Sequence, residues 1–264
     1  MRVDAVVLAG GLNCGPLQQY STARTEALIP IGGRPMVEYV VNALKHVPAV
    51  RRIVIAGPCK DLAPVFKGDA AVQVAEGGDT AIATLLRGVE ALEKLPLPAA
   101  EVSRWVLIAT ADIPMITPEA IEDFLRLCQK REGEVYYPVV KREVSEKKYP
   151  GVKRTYVRLR EGSFTGGNLL LVDKNVIERC IPLAEKIVAR RKNPLALCRL
   201  LGLKFVFKFL LHRLSLGEAE AKMSALLRVK GVAVVSQYAE VGVDVDKPSD
   251  LQLARRWLEA GCRS

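Results

Sequence analysis

The segment that most constrains this chain is residues 2–8, RVDAVVL, a Val-rich apolar run that breaks directly into Ala9-Gly10-Gly11. An apolar run of this length without alternation reads as a strand buried on both faces. The same grammar recurs. Residues 51–56 (RRIVIA), 72–75, 105–110 (WVLIAT) and 135–140 are further short strands. Helical segments separate them: residues 36–46 opened by Pro35, residues 79–93 capped by Asp79 or Thr80, and a helix capped by Thr117-Pro118. Strands alternating with helices of this length predict an α/β fold, a mainly parallel twisted sheet with helices on both faces. A strand from Asn168 (NLLLV) leads into a mostly helical stretch at about 174–228, punctuated by Asn193-Pro194 and Gly202. Gly231–Val235 returns to strand, and an amphipathic helix follows DVDKPSDL. The expected organisation is one domain over residues 1–264 with a basic helical insertion at 174–228.

Composition narrows the function. The chain has 264 residues, 39 Lys+Arg and 29 Asp+Glu. Residues 141–230 hold 21 of those cations and 8 of the acids, so a basic segment is set into a slightly acidic framework. Such asymmetry points to an anionic partner. No DNA- or RNA-binding pattern accompanies it, so nucleic acid is not expected. Two histidines, His46 and His212, exclude His-rich metal chemistry. The six cysteines lack C-x-x-C spacing and read as mostly buried thiols of a cytoplasmic protein. No apolar run reaches the ~20 residues of a membrane span.

Ligands in open α/β sheets bind beyond the carboxyl ends of the strands. Three loops are expected there: Ala9-Gly10-Gly11, Ala111-Asp112-Ile113-Pro114 and Val243-Asp244-Val245-Asp246. Glycines after a first strand let backbone N–H groups approach a phosphate, and carboxylates from two loops suit a hard cation such as Mg²⁺.

Together the segments VVLAGG (6–11), ALIPIGGRPMVEYVV (27–41), TADIPMIT (110–117), FTGGNLLLV (164–172) and DVDKPSDL (244–251) resemble the molybdenum-cofactor guanylyltransferase-like nucleotidyltransferases, relatives of the sugar-phosphate nucleotidyltransferases. The resemblance implies transfer of a nucleoside monophosphate from a nucleoside triphosphate to a small phosphorylated acceptor, with Mg²⁺ and release of pyrophosphate. It implies that Leu8, Ala9, Gly10, Gly11, Gly77, Gly78 and Asp79 contact the nucleotide. Asp112 and Asp246 would be the metal ligands, with Asp244 behind them, and Gly167, Asn168 and Arg158 would meet the acceptor.

Two positions depart from the family pattern. Gly15 stands where the family has Arg, and Glu26 where it has a phosphate-binding Lys. An ion pair ~4 Å apart is worth about 4 kcal/mol at an effective dielectric near 20, so the exchange is not neutral. Either Glu26 turns away and Arg24, Arg34, Arg154 or Arg158 serves the phosphates, or Glu26 recognises a cationic acceptor or helps hold metal. The competing classes are a non-catalytic nucleotide or metabolite sensor on the same fold, and a membrane-peripheral module working through the basic helix 204–214 (KFVFKFLLHRL). That helix is expected to pack its apolar face on its own domain, with His212 in the polar stripe. Residues 154–162 (RTYVRLREG) alternate as a half-buried strand.

Overall fold

The computed structural model describes residues 1–96, 102–190 and 201–261. Eleven strands occur in this described part: β1 Val3–Leu8, β2 Pro30–Ile31, β3 Arg34–Pro35, β4 Val50–Gly57, β5 Val72–Glu76, β6 Trp105–Thr110, β7 Val135–Lys141, β8 Val157–Leu159, β9 Gly162–Gly166, β10 Leu169–Asp173 and β11 Gly231–Ser236. Nine of them form one sheet in the order β5-β4-β1-β6-β10-β7-β9-β8, with β11 pairing with β7. β5, β4, β1 and β6 run parallel, as do β7 and β11. β10 enters antiparallel between β6 and β7. The result is a mixed sheet whose strands mostly point the same way.

β1 lies at the centre and alternates in both directions. Val3, Ala5 and Val7 face a core shared with the helices Met36–Lys45 and Pro118–Cys128. Val6 faces a second core against Ala81–Lys94 and Ile177–Arg190. Burial on both faces is why the strand is apolar at every position but Asp4; each such Val contributes about 1.5–3 kcal/mol. Asp4, wholly buried in the same strand, is held by Arg52 in a two-pronged pair (Nε–Oδ1 3.0 Å, Nη2–Oδ2 2.6 Å) and by Lys174 Nζ at 3.0 Å.

The helix starts follow the capping chemistry. Thr80 Oγ1 accepts from Ala83 N at 3.1 Å and Thr117 Oγ1 from Ala120 N at 3.2 Å. The two-residue hairpin between β2 and β3 turns on Gly32 (φ 57°) and Gly33 (φ 82°), left-handed values that favour glycine at such turns.

Several expectations are corrected. Residues 154–162 do not form one strand; only Val157–Leu159 does, as the outer arm of a hairpin with β9. A helix at Arg142–Lys148 was not foreseen. As expected, the described residues of the stretch 174–228 are mostly helical, in Ile177–Arg190, Leu203–Leu210 and Leu216–Leu227, with Gly202 at positive φ just before Leu203–Leu210. Asn193-Pro194, Cys198 and Cys262 lie outside the described residues. Of the four described cysteines, Cys128 alone is buried and Cys14 is exposed, so the thiols are not mostly buried. The helix Leu203–Leu210 packs only in part. Phe205 joins Leu159, Phe164 and Leu214, whereas Phe207, Leu210 and Leu211 stay exposed.

Candidate active site

Asp112 follows β6 by two residues. Ala111 N donates to Leu8 O at 3.1 Å, tying this loop to the end of β1. Val245 N then donates to Asp112 O at 2.8 Å, which lays the C-terminal acidic loop against it. That loop is a period-two pattern in miniature: Val243 and Val245 are buried with Ile29, Met36 and Leu251, so Asp244 and Asp246 point the other way.

Glu26 arrives from a third segment. It opens a single turn, Glu26–Leu28, and donates its N–H to Gly11 O at 3.0 Å. Buried Thr25 and Ala27 on either side fix the turn, and a Cβ on Gly11 would lie 3.4 Å from Glu26 Oε2. The carboxylate therefore stands beside the glycine loop, not out in solvent. One carboxylate oxygen each from Glu26, Asp112 and Asp246 lies within 4.8 Å of the other two.

The electrostatics reflect this crowding. Burial, Asp244, Asp112 and Glu26 together push the Asp246 carboxyl up to about 7. Burial and the negative charge of Asp244 raise Asp112, and burial with Asp112 and Asp244 raises Glu26. Asp112 Oδ1 is buried with no hydrogen-bond partner among the described residues. The cation Arg154 is engaged by neighbouring groups: Nη1 pairs with Asp244 Oδ1, Nη2 reaches Asp244 O at 2.6 Å, and Asp250 Oδ1 lies 3.7 Å away.

The glycine loop is open. The N–H groups of Gly10 and Gly11 make no hydrogen bond among the described residues, and both residues are exposed. Gly77 and Gly78 differ. Gly77 N donates to Gly57 O at 2.9 Å, Gly78 N to Thr84 Oγ1 at 3.0 Å, and Arg87 Nη1 to Gly77 O. Their amides are spent inside the fold, and a Cβ on Gly78 would strike Ala83 Cβ at 2.5 Å. Asp79 is exposed beside them.

Among the substitute cations, Arg24 is mostly solvated, 3.8 Å from Asp61, and Arg34 is exposed on β3. Only Arg154 reaches the acidic loops. Asn168 sits at the junction of three elements: its carbonyl accepts from Thr110 N at 3.3 Å and its N–H donates to Val241 O at 2.9 Å. Gly167 N donates to Pro138 O at 2.9 Å. Arg158 lies farther along β8, in an open groove of about 740 Å³ that Arg142, Tyr156, Arg160 and Ser163 also line. The sequence reading missed Asp250 and Thr84. A D-x-x-x-D spacing between Asp246 and Asp250 was the available signal for the first; nothing in the sequence marked the second.

The parallel β1/β6 pair thus carries an open glycine loop and convergent carboxylates at its carboxyl end. The chain belongs to the MobA-like NTP transferase domain family, whose profile matches residues 5–208. It is 43% identical to a structure titled as a hypothetical transferase from Thermus thermophilus, over 95% of this chain and 100% of that one, with a TM-score of 0.77. The fold also resembles CMP:2-keto-3-deoxy-manno-octonic acid synthetase complexed with CTP (15% identity, 99% and 100% coverage, TM-score 0.61). A third similar structure is 4-diphosphocytidyl-2C-methyl-D-erythritol synthase from Anaerococcus prevotii (14% identity, 98% of each chain, TM-score 0.59). No curated protein matches the chain significantly. No described helix is long and apolar enough to cross a membrane.

Proposed function

We propose that the chain transfers a nucleoside monophosphate from a nucleoside triphosphate to a small phosphorylated acceptor. One observation carries the reading: Asp112 and Asp246 converge beside the unpaired N–H groups of Gly10 and Gly11 at the carboxyl end of β1 and β6. Family membership supports it, as do the structurally similar CMP:2-keto-3-deoxy-manno-octonic acid synthetase and 4-diphosphocytidyl-2C-methyl-D-erythritol synthase.

In this reading Gly10 and Gly11 donate to the triphosphate, at a point where no Cβ obstructs its approach. The fully oxygen donor set and the orphaned Asp112 Oδ1 fit a hard divalent cation, Mg²⁺ in this family. When bound, that cation neutralises phosphate charge. Asn168 lies toward the acceptor side, held at the β6 end by its own backbone bonds. An acceptor phosphate oxygen forms a bond to the α-phosphorus, the bond from that phosphorus to the bridging oxygen breaks, and pyrophosphate leaves with the electron pair. The chain's contribution is position and charge, which is how phosphoryl-type transfers are mainly accelerated. We read residues 1–264 as a single unit performing this task.

Pyrophosphate release, measured with the four triphosphates against a panel of sugar and polyol phosphates in Mg²⁺, tests the proposal. Saturable triphosphate binding without release for any acceptor would favour the second reading, a non-catalytic sensor, which the acid at position 26 supports.

A further inference from the structure

Glu26 occupies the place of a phosphate-binding Lys in the family pattern, and the structure turns it toward the two aspartates that Mg²⁺ would use. We propose that Glu26 is itself a ligand of the divalent cation, closing a three-carboxylate seat with Asp112 and Asp246 that takes up the metal in the absence of nucleotide. The inference rests on the metal-dependent reading of the site.

Three observations carry it. The ligand atoms are already within 4.8 Å of one another, a separation that oxygens bound to one small ion readily span after minor rotamer change. Asp112 Oδ1 is buried and makes no well-formed hydrogen bond among the described residues, although the Thr110 hydroxyl lies near its carboxyl, and such an atom is costly unless something satisfies it. The third is what the surroundings lack. Arg154 is engaged by Asp244 and Asp250, Lys247 by Asp250 and Lys153 O, and no described side chain forms an ion pair with Glu26, Asp112 or Asp246. Glu26 is moreover not free to leave: its N–H is bonded to Gly11 O, and Thr25 and Ala27 are buried on both sides.

Charge arithmetic gives the substitution a purpose. Exchanging Lys for Glu lowers the charge at this position by two, and a carboxylate beside a triphosphate is accommodated when a divalent cation lies between them. Sites of one or two carboxylates ordinarily bind Mg²⁺ together with substrate phosphates. A third carboxylate removes that dependence.

Mn²⁺ titrated into the metal-free full chain, without nucleotide and followed by electron paramagnetic resonance, reads the seat directly. The expected result is one Mn²⁺ per chain, displaced by Mg²⁺, with affinity at least ~10-fold weaker in Glu26→Gln and lost in Glu26→Lys. Circular dichroism checks that both variants are folded; Glu26→Gln removes charge while keeping shape and so should fold. An unchanged Mn²⁺ affinity in folded Glu26→Gln overturns the inference, as does absence of binding to wild type at ~1 mM, the weak end of physiological sites. Its failure is separable from failure of the transferase reading. Pyrophosphate release alongside Glu26-independent Mn²⁺ binding would sink this inference alone. Glu26-dependent binding with no release would sink the transferase reading alone.

Discussion

The N–H of Val245 donates to the carbonyl of Asp112 at 2.8 Å, and this bond aligns two loops 133 residues apart in sequence. Because Val245 is buried, the aspartate after it is held out of the core beside Asp112. The alignment depends on backbone, so Asp112 can be changed without dismantling the loops. Asp112→Asn should leave the far-ultraviolet spectrum and melting midpoint intact, since it relieves repulsion. Metal-dependent triphosphate affinity should fall at least ~10-fold, the range seen when metal-site groups are altered. Titration calorimetry at fixed Mg²⁺ would show it; an unaltered affinity would separate Asp112 from the metal.

The Asp246 carboxyl, pushed up to about 7 from an ordinary value of 3.8, makes stability depend on pH. A raised acid favours the folded state while protonated. Its contribution is complete below about pH 4 and lost as pH rises through about 7. Metal-free protein should therefore melt earlier at pH 8 than at pH 5, and Asp246→Asn should flatten that difference. Divalent cation should restore the neutral-pH melting point of the wild type. Glu218, held down to about 2 chiefly by Lys208, works in the opposite direction but only below about pH 4.5, outside this window.

Arg154 is nearly buried and joins Asp244 and Asp250. Arg154→Leu leaves two carboxylates without their main cation and should cost about 3–5 kcal/mol in urea unfolding. Arg154→Lys should recover only part of this, since an ammonium cannot reproduce the guanidinium's several fixed N–H directions. Triphosphate affinity should fall in Arg154→Leu as the site becomes more negative and should be largely kept in Arg154→Lys, which retains the charge; equal affinity in wild type and Arg154→Leu would place Arg154 outside the site's electrostatics.

Asp4 tests stability away from the chemistry. Its partners Arg52 and Lys174 are gathered near the start of β1, a strand's length from Gly10. Asp4→Ala strands a buried guanidinium and should cost about 3–5 kcal/mol. Nucleotide binding by the folded fraction should be unchanged, which equilibrium dialysis below the melting point would verify.

What the sequence displayed depended on how local the cause was. β1, β6, the Thr80 and Thr117 caps and the acidic loops follow from runs, periods and hydrogen bonds within a few residues. The insertion of β10 between β6 and β7 does not, because strand direction is settled by pairing far along the chain. In the site, Asp112 and Asp246 were visible as residue types after strand ends. Glu26 was visible only as an anomaly, since its direction is set by the bond to Gly11 and the burial of its neighbours. The bonding of the Gly77 and Gly78 amides, to Gly57 O and Thr84 Oγ1, was likewise not visible in residue type alone.

Glu26, Asp112 and Asp246 come from near one end of the chain, its middle and near the other end. An unfolded chain brings three such points together only at a large loss of loop-closure entropy, so an ion seated on all of them has affinity for the folded form alone. The ion then acts as a reversible cross-link without a covalent bond. Its removal by a chelator should expose the chain to proteases before any change in the sheet itself, so the three-carboxylate seat would double as a clasp whose strength is set by the free divalent-cation concentration around it.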